Sequence, residues 1–394
     1  MMSAVLSNPD HPEYGVATIP FPVPHDQYEY CMKLLEALEI GDAVKADCKV
    51  EKIDSFYTVL KRTEMLPVNV EELNYLAKRL DSFDTGEAAQ FQAMAHKLEL
   101  FELKDLINLT FCCQQATVIT DFSDLAAIGR DHYMNLHGGS ASVDELNKLD
   151  GKGTARQLIE SGSGTVTPYG VVYDNGMKLE QVYDGRFFPC YYFKPNVITV
   201  AVTSKAEPED TEHITWLFLP MVQEEIDRAL LRGGITDPAD VRLRLEDSQL
   251  PNEVDVLLDM EYENLSDLNE LAEATVGLSK ADMEKLGAVV ILAEPKSAAQ
   301  IKNLAESLDL FDLAPGAHTP QDYGKYMIQQ SGRFEYDENL DAFYDYEKYG
   351  TERMNEEDGM FTDRGYIAYK GYYSMEEAMN GGQSNHMVLR GLSR

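Results

Sequence analysis

The chain has 394 residues, 44% of them hydrophobic and 10% aromatic, with 68 acidic against 34 basic side chains and a formal net charge of −34. The hydrophobic content excludes disorder, and the length suits two or three domains. The charge excludes ordinary binding to DNA or RNA, which needs basic surface, and predicts attraction to basic proteins.

In chain order, Ser3–Ser7 and Gly15–Val23 read as strands, Gln27–Leu38 as an amphipathic helix, and Val44–Ile53 and Phe56–Leu60 as further strands. Asn69 to about Tyr133 is helix-rich, with helices predicted over Glu71–Leu80, Gly86–Leu98 and Leu103–Cys113. After a Gly/Ser-rich loop at 138–142 come a short helix, Val143–Leu149, and Gly151-Lys-Gly153-Thr, which reads as a turn. Gly164–Tyr173 and Met177–Tyr183 form a predicted hairpin across Asp174-Asn-Gly. The order then begins again. Ile198–Thr203 and Ile214–Leu219 are strands, Val222–Leu231 a helix, and Val241–Asp247 and Val254–Met260 strands. A helical block runs from Asn264 to about Gln330, and a terminal β region begins near Phe361.

Residue identities recur at one offset, 195. Asn69 returns as Asn264, and Leu73-Asn74-x-Leu76-Ala77 as Leu268-Asn269-x-Leu271-Ala272. Asn108-Leu109 returns as Asn303-Leu304, Gly129-Arg130 as Gly324-Lys325, and Gly164-x-x-Thr167-x-x-Gly170 as Gly359-x-x-Thr362-x-x-Gly365. The period is far too long for a solenoid. It predicts an internal duplication divided near Pro195–Val200. The expected fold is α+β, elongated, with two copies, each a helical middle flanked by small antiparallel β regions. The first spans 1–197 (β-rich 1–66, helical 67–135, α/β 136–197). The second spans 198–394 (β-rich 198–262, helical 263–330, α/β 331–394).

The copies differ in charge: residues 1–197 carry 29 acids and 17 bases, residues 198–394 carry 39 and 17. Lys78 and Arg79 stand where the second copy has Glu273 and Ala274. Between Arg244 and Lys280 there is no Lys or Arg. Asn264-Leu-Ser-Asp267 reads as a helix start, with Leu265, Leu268, Leu271 and Ala272 facing a core. Glu263, Asp267 and Glu270 then line the other side, roughly 4.5–6 Å apart along a helix axis that rises about 1.5 Å per residue. A duplex strand carries a phosphate about every 3.4 Å, so such a surface competes for a site built to grip DNA. At about one charge per 1.7 Å of duplex axis, 34 net charges match roughly 58 Å of DNA.

Motifs for catalysis are missing. Asp131-His132 and His137 precede Gly138-Gly139, but no Gly-x-Ser-x-Gly elbow accompanies them. There is no His-Glu-x-x-His, P-loop or dinucleotide fingerprint. The five cysteines, Cys31, Cys48, Cys112, Cys113 and Cys190, lack metal-ligand spacing and read as reduced, mostly buried thiols. Asn355-Glu-Glu-Asp-Gly359 is the best local cation loop, and it does not match a calcium-binding loop. The first residues have no basic or apolar leader pattern, and no run reaches membrane-span length. The expectation is a soluble, cytoplasmic protein with no catalytic residues, no metal and no cofactor. The rival from another class is a metal-assisted hydrolase using its carboxylates.

The second copy resembles the ArdA-type antirestriction proteins. The likeness lies in Trp216-Leu-Phe-Leu-Pro220, Leu268-Asn269-x-Leu271-Ala272, Ile301-Lys-Asn-Leu304, Tyr323-Gly-Lys-Tyr326, Asp345-Tyr-Glu-Lys-Tyr-Gly350 and Gly359-Met-Phe-Thr-x-x-Gly365-Tyr-Ile. It covers residues 198–370 well and 1–190 faintly, through the duplication. The resemblance implies a non-enzymatic inhibitor carried by mobile DNA. Such proteins mimic bent B-form DNA, occupy the DNA-binding cleft of type I restriction–modification enzymes, and dimerise. Two copies in one chain imply either a homodimer or an intrachain pseudo-dimer. The expected partner-binding surface comprises Glu224, Glu225, Asp227, Glu246, Asp247, Glu253, Asp255, Asp259, Glu261, Glu263, Asp267, Glu270, Glu273, Asp345, Glu347, Glu356, Glu357 and Asp358. The alternative partner is another basic DNA-binding protein: a repressor, a nucleoid protein or a CRISPR effector.

Overall fold

A computed structural model describes residues 2–193, 196–206 and 212–382; Pro195, where the predicted boundary begins, lies outside them. The fold is α+β, with helices set among four small antiparallel sheets. The chain divides into two compact units. One is built from Met1–Phe193, Thr211–Thr215 and Val222–Thr236, the other from Lys194–Asp210, Trp216–Met221 and Asp237–Arg394.

The first unit begins with β1 (Met2–Ser7), β2 (Val16–Phe21), α1 (Tyr28–Ala37), β3 (Cys48–Asp54) and β4 (Pro67–Val68), which give a sheet of order β2-β1-β3-β4. Alternation along β1 turns Met2, Ala4 and Leu6 inward. The buried Tyr28, Cys31 and Leu35 recur on α1 at helical spacing. Three helices follow, α2 (Val70–Asp81), α3 (Thr85–Lys97) and α4 (Leu103–Leu109). Asn69 caps α2 by accepting from Glu72 N at 3.1 Å, and Asn74 accepts from Val23 N at 2.9 Å, tying the helix to the chain after β2. Leu6, Phe21, Leu73, Leu76, Phe91 and Ile107 share one core. Then come β5 (Thr117–Ile119), α5 (Leu125–Leu136), α6 (Val143–Lys148), α7 (Gly151–Glu160), β6 (Thr165–Thr167) and β7 (Gly170–Tyr173), with sheet order β5-β7-β6.

In the second unit β8 (Ile198–Ser204) is the middle strand between β9 (Thr215–Leu219) and, beyond α8 (Gln223–Arg232), β10 (Val241–Ser248). The helix α8 itself falls within the first unit. The second unit continues with α9 (Asn252–Leu257), α10 (Leu265–Thr275), α11 (Lys280–Ala293), α12 (Ala298–Ala305) and β11 (Phe311–Pro315). It closes with α13 (Pro320–Gln329), α14 (Tyr346–Glu356), β12 (Asp358–Thr362), β13 (Gly365–Tyr369) and α15 (Met375–Met379), and its last sheet has the order β11-β13-β12.

Several local arrangements occur in both units. Asn264 caps α10 as Asn69 caps α2, and Asn269 accepts from Met221 N at 2.9 Å, as Asn74 does from Val23. Thr167 and Thr362 each donate to the carbonyl of the glycine three residues on, Gly170 and Gly365, whose φ values are +126° and +134°. Both helix pairs α5/α7 and α13/α14 cross glycine against glycine. A Cβ on Gly129 would overlap the Gly151 carbonyl; one on Gly324 or Gly350 would overlap the carbonyls of Tyr346 or Pro320. Gly350→Ala is therefore expected to destabilise the second unit by about 1–3 kcal/mol. Thermal denaturation checks this, and an unchanged midpoint would mean that the helices separate freely.

Some predicted elements differ, each for a local reason. Gly151-Lys-Gly153-Thr opens α7 and is not a turn: Asp150 caps it, accepting from Gly153 N at 3.0 Å, and Gly151 is there for the close crossing. Met177–Tyr183 is no strand, because β7 already has β5 and β6 on its two edges. The hairpin is instead the short β6–β7 pair. Val254–Met260, expected as a strand, overlaps α9 instead, with Val254 and the C-cap Leu258 buried four residues apart and Val256 78% exposed. Phe56–Leu60 leads into a 3-10 helix over Thr58–Thr63. The strand expected from Val44 starts at Cys48, since Asp42 accepts from Val44 N and Lys45 N and holds a turn before it. The helix expected over Leu103–Cys113 ends at Leu109.

Candidate functional site

The stretch 245–279, empty of basic residues, runs from the end of β10 through α9 and α10. On α10 the apolar positions fold inward as their spacing predicts, with Leu265, Leu268, Leu271 and Ala272 buried and Glu270 and Glu273 exposed. The regular row of Glu263, Asp267 and Glu270 does not form. Glu263 is half-buried and accepts from Ala298 N at 3.0 Å, closing the head of α12, and desolvation raises its pKa. Asp267 turns back onto the cap, accepting from Asn264 Nδ2 at 2.7 Å. Glu270 stays outward while receiving Lys302 Nζ at 3.1 Å.

The other expected acids divide the same way. Glu246, Asp247, Asp259 and Glu261 are exposed around β10 and the turn before α10, with Arg244 beside Glu246. Asp345, Glu347, Glu356 and Asp358 are exposed on or beside α14, where Asp345 caps the helix. Glu253, Asp255 and Glu357 are structural. Glu253 takes the fork of Arg364, with both oxygens at 2.8 Å. Asp255 is half-buried, and desolvation raises its pKa. Glu357 accepts from Tyr323 Oη at 2.6 Å and pairs with Arg353. In the first unit, Glu224 and Asp227 on α8 are exposed, and Glu225 pairs with Lys78 at 2.9 Å.

Several bases of the second unit are engaged in ion pairs. Arg364 serves Glu253 and Glu284, Arg333 and Lys370 share Asp312, Lys302 serves Glu270 and Glu306, and Arg353 serves Glu356 and Glu357. The pairs of Arg364, Arg333, Lys370 and of Lys302 with Glu270 join separate elements, whereas Arg353 and the Lys302–Glu306 pair act along single helices. Exposed acids that a search for basic-free runs passes over include Asp309, Asp322, Glu335, Asp337, Glu338 and Glu352. Their sequence neighbours include Lys325, Arg333, Lys348 and Arg353, which hides them from that search.

The hydrogen bond from Arg364 holds the Glu253 carboxyl below the usual glutamate range. A carboxyl lowered by folding contributes stability above its unfolded pKa, and that contribution disappears as pH falls through the folded value. Glu253→Gln is therefore expected to cost most near neutral pH, with the gap to the parent protein closing below about pH 4. Denaturation midpoints at about pH 7 and pH 3 check this, and a constant gap contradicts it.

The helix α8 is held by two arginines. Arg228 bonds Glu71 and the Gly41 carbonyl, the latter at 2.7 Å. Arg232, 4% exposed, donates to the carbonyls of Ala43 (2.9 Å), Gly185 (3.1 Å) and Arg186 (2.7 Å) and to Asn69 Oδ1 (3.0 Å). It also bonds Tyr183 and stands 3.7 Å from Glu72. Lys78 and Arg79, which stand where the second copy has Glu273 and Ala274, are likewise structural. Arg79 is buried over the Tyr191 and Phe111 rings and donates to Thr110.

The histidines noted in the sequence are engaged locally. His132 Nδ1 lies 2.9 Å from Thr117 Oγ1 with its pKa lowered by burial, and His137 bonds the Tyr133 carbonyl. Cys31, Cys48, Cys112 and Cys113 are buried free thiols, and burial pushes their pKa values up. Among the described residues no group of three or more His, Cys, Asp or Glu is placed to hold a metal ion. Nor, among them, is any helix long and apolar enough to cross a membrane.

No curated protein matches the chain. Residues 211–368 match the family model of ArdA, described as an antirestriction protein. That segment runs from just before β9 into β13 and contains every carboxylate named above from the sequence as the expected partner-binding surface. Over this C-terminal part the chain is similar to the ArdA antirestriction family.

Proposed function

We propose that the protein inhibits type I restriction–modification enzymes by occupying their DNA-binding cleft as a mimic of DNA, acting in the cytoplasm and without catalysis. The observation that carries the reading is the division of labour in the matched segment. Glu246, Asp247, Asp259, Glu261, Glu270, Glu273, Asp345, Glu347, Glu356 and Asp358 face outward; Glu246, Glu270 and Glu356 among them pair with Arg244, Lys302 and Arg353, while Arg364 is engaged by Glu253 and Glu284. The enzyme's phosphate-binding Lys and Arg would pair with those carboxylates and release bound ions, as they do on DNA. A half-buried acid such as Glu263 contributes to the frame that holds them.

We also propose that the chain is an internal duplication. The paired caps Asn69 and Asn264, the paired Thr–Gly turns and the two glycine crossings support it. Competition with a labelled duplex for a type I methyltransferase tests the main reading. Displacement of the duplex by a stoichiometric amount of this protein supports it. Tight binding to a repressor, a nucleoid protein or a CRISPR effector without displacement at the methyltransferase would replace it.

A further inference from the structure

A cavity of about 240 Å³ opens in the first unit between the end of β2, the segment after β3 and the junction of α2 with α3. Phe21, Phe56, Tyr57, Leu80, Phe83 and Ala88 line it. The rings are braced. Tyr57 and Phe83 pack edge-on against the buried Phe91, with centroids 5.9 and 6.2 Å away, and Phe56 packs edge-on against Tyr57 at 5.5 Å. Phe56 nevertheless stays 69% exposed. The polar side chains beside the rings are engaged. Tyr57 Oη donates to the Leu80 carbonyl at 2.7 Å, and Ser55 Oγ accepts from Tyr57 N at 3.1 Å. Asp84 caps α3, accepting from Glu87 N at 2.8 Å, and Asp81 has a partner of its own. Phe83 already has a cation near it, with the Arg79 guanidinium 5.9 Å from its centroid.

We propose that this cavity binds one neutral aromatic ring, carried by a small molecule. With Ser55, Tyr57, Asp81 and Asp84 engaged, water inside finds few partners, and replacing poorly ordered water by an apolar group adds affinity. The volume exceeds the roughly 150 Å³ of an apolar cavity that takes up benzene, and it lies below the roughly 300 Å³ at which pockets for drug-sized ligands begin. One ring with a small substituent therefore fits. Edge-to-face packing makes a ring bind about two- to tenfold more tightly than an aliphatic group of the same size. An incoming cation would meet carboxylates that are already engaged and the guanidinium of Arg79. A side chain displayed by another protein brings a peptide backbone, for which the engaged groups leave no partner. The site stands independently of the mimicry of DNA, because its lining lies outside residues 211–368.

The test uses the full chain with phenol, cyclohexanol or benzylammonium, followed by NMR. Phenol is expected to shift the resonances of Phe56, Tyr57 and Phe83 saturably, and to bind about two- to tenfold more tightly than cyclohexanol. Ala88→Leu fills the space and should abolish the shift. Leucine there also risks overpacking, so the exposed Phe56→Ala is the second variant; it should weaken phenol about two- to tenfold. Spectra outside the cavity report whether each variant remains folded. Equal binding of cyclohexanol or benzylammonium overturns the assignment, as do unchanged binding in a folded Phe56→Ala protein and the absence of any saturable shift. An acetylated, amidated tripeptide with phenylalanine between glycines that binds more tightly than phenol would replace the small molecule with a displayed side chain.

Discussion

Replacing Arg232 with alanine is expected to lower the stability of the first unit by about 3–5 kcal/mol, the range for removing one partner from a buried charged network. The side chain satisfies the carbonyls of Ala43, Gly185 and Arg186 and the cap residue Asn69, and it pairs with Glu72. Alanine would take this donor from the three carbonyls, while Asn69 Oδ1 keeps the Glu72 N–H. Glu72 would lose Arg232, leaving Lys104 as a neighbouring cation, while still accepting from Tyr183 Oη at 2.8 Å. Burial already raises the Glu72 pKa, so the same substitution makes the unit take up a proton more readily. Arg232→Lys keeps a charge but loses the fork, and should fall between the two. Hydrogen exchange of α2 amides reports this unit by itself. A change under about 1 kcal/mol would mean that neighbouring polar groups or water replace the guanidinium.

The second large effect concerns the anionic face. Converting Glu246, Asp247, Asp259, Glu261, Glu270 and Glu273 to their amides removes six outward charges and leaves Glu253, Asp255 and Glu263 in place. The frame should remain folded, because the converted residues are exposed. Affinity for a type I methyltransferase is expected to fall on the order of a hundredfold at low salt, from six exposed ion pairs of about 0.5 kcal/mol each. A control variant neutralises six exposed acids of the first unit: Asp10, Glu13, Asp26, Glu29, Glu36 and Asp54. It should lose far less. Equal losses would undo the assignment of the inhibitory surface to the second unit and leave only a net-charge effect.

Much of the fold follows from patterns a few residues long. The inward alternation of β1, the caps at Asn69 and Asn264, and the apolar face of α10 are all set locally. The sequence pattern misled where a local preference was overruled by packing. Glycines that look like a turn at Gly151 serve a helix crossing, and a Val/Leu-rich run at 254–258 forms α9. At the site, composition located the acidic stretch but did not tell which acids face out. That depends on partners far along the chain: Arg364 lies 111 residues from Glu253, Ala298 lies 35 from Glu263, and Tyr323 lies 34 from Glu357. The placement of α8 is of the same kind, since Arg232 meets acceptors as distant as Ala43.

The most direct measurement is the displacement of duplex DNA from a type I methyltransferase by this protein, titrated with salt from about 50 to 200 mM. The mimicry of DNA predicts that the protein's affinity falls steeply, with a log–log slope similar in sign and size to that of the duplex itself, and that the six-amide variant shows a shallower one. An affinity that stays flat across that range would show that contacts other than carboxylate with phosphate-binding cations hold the complex together.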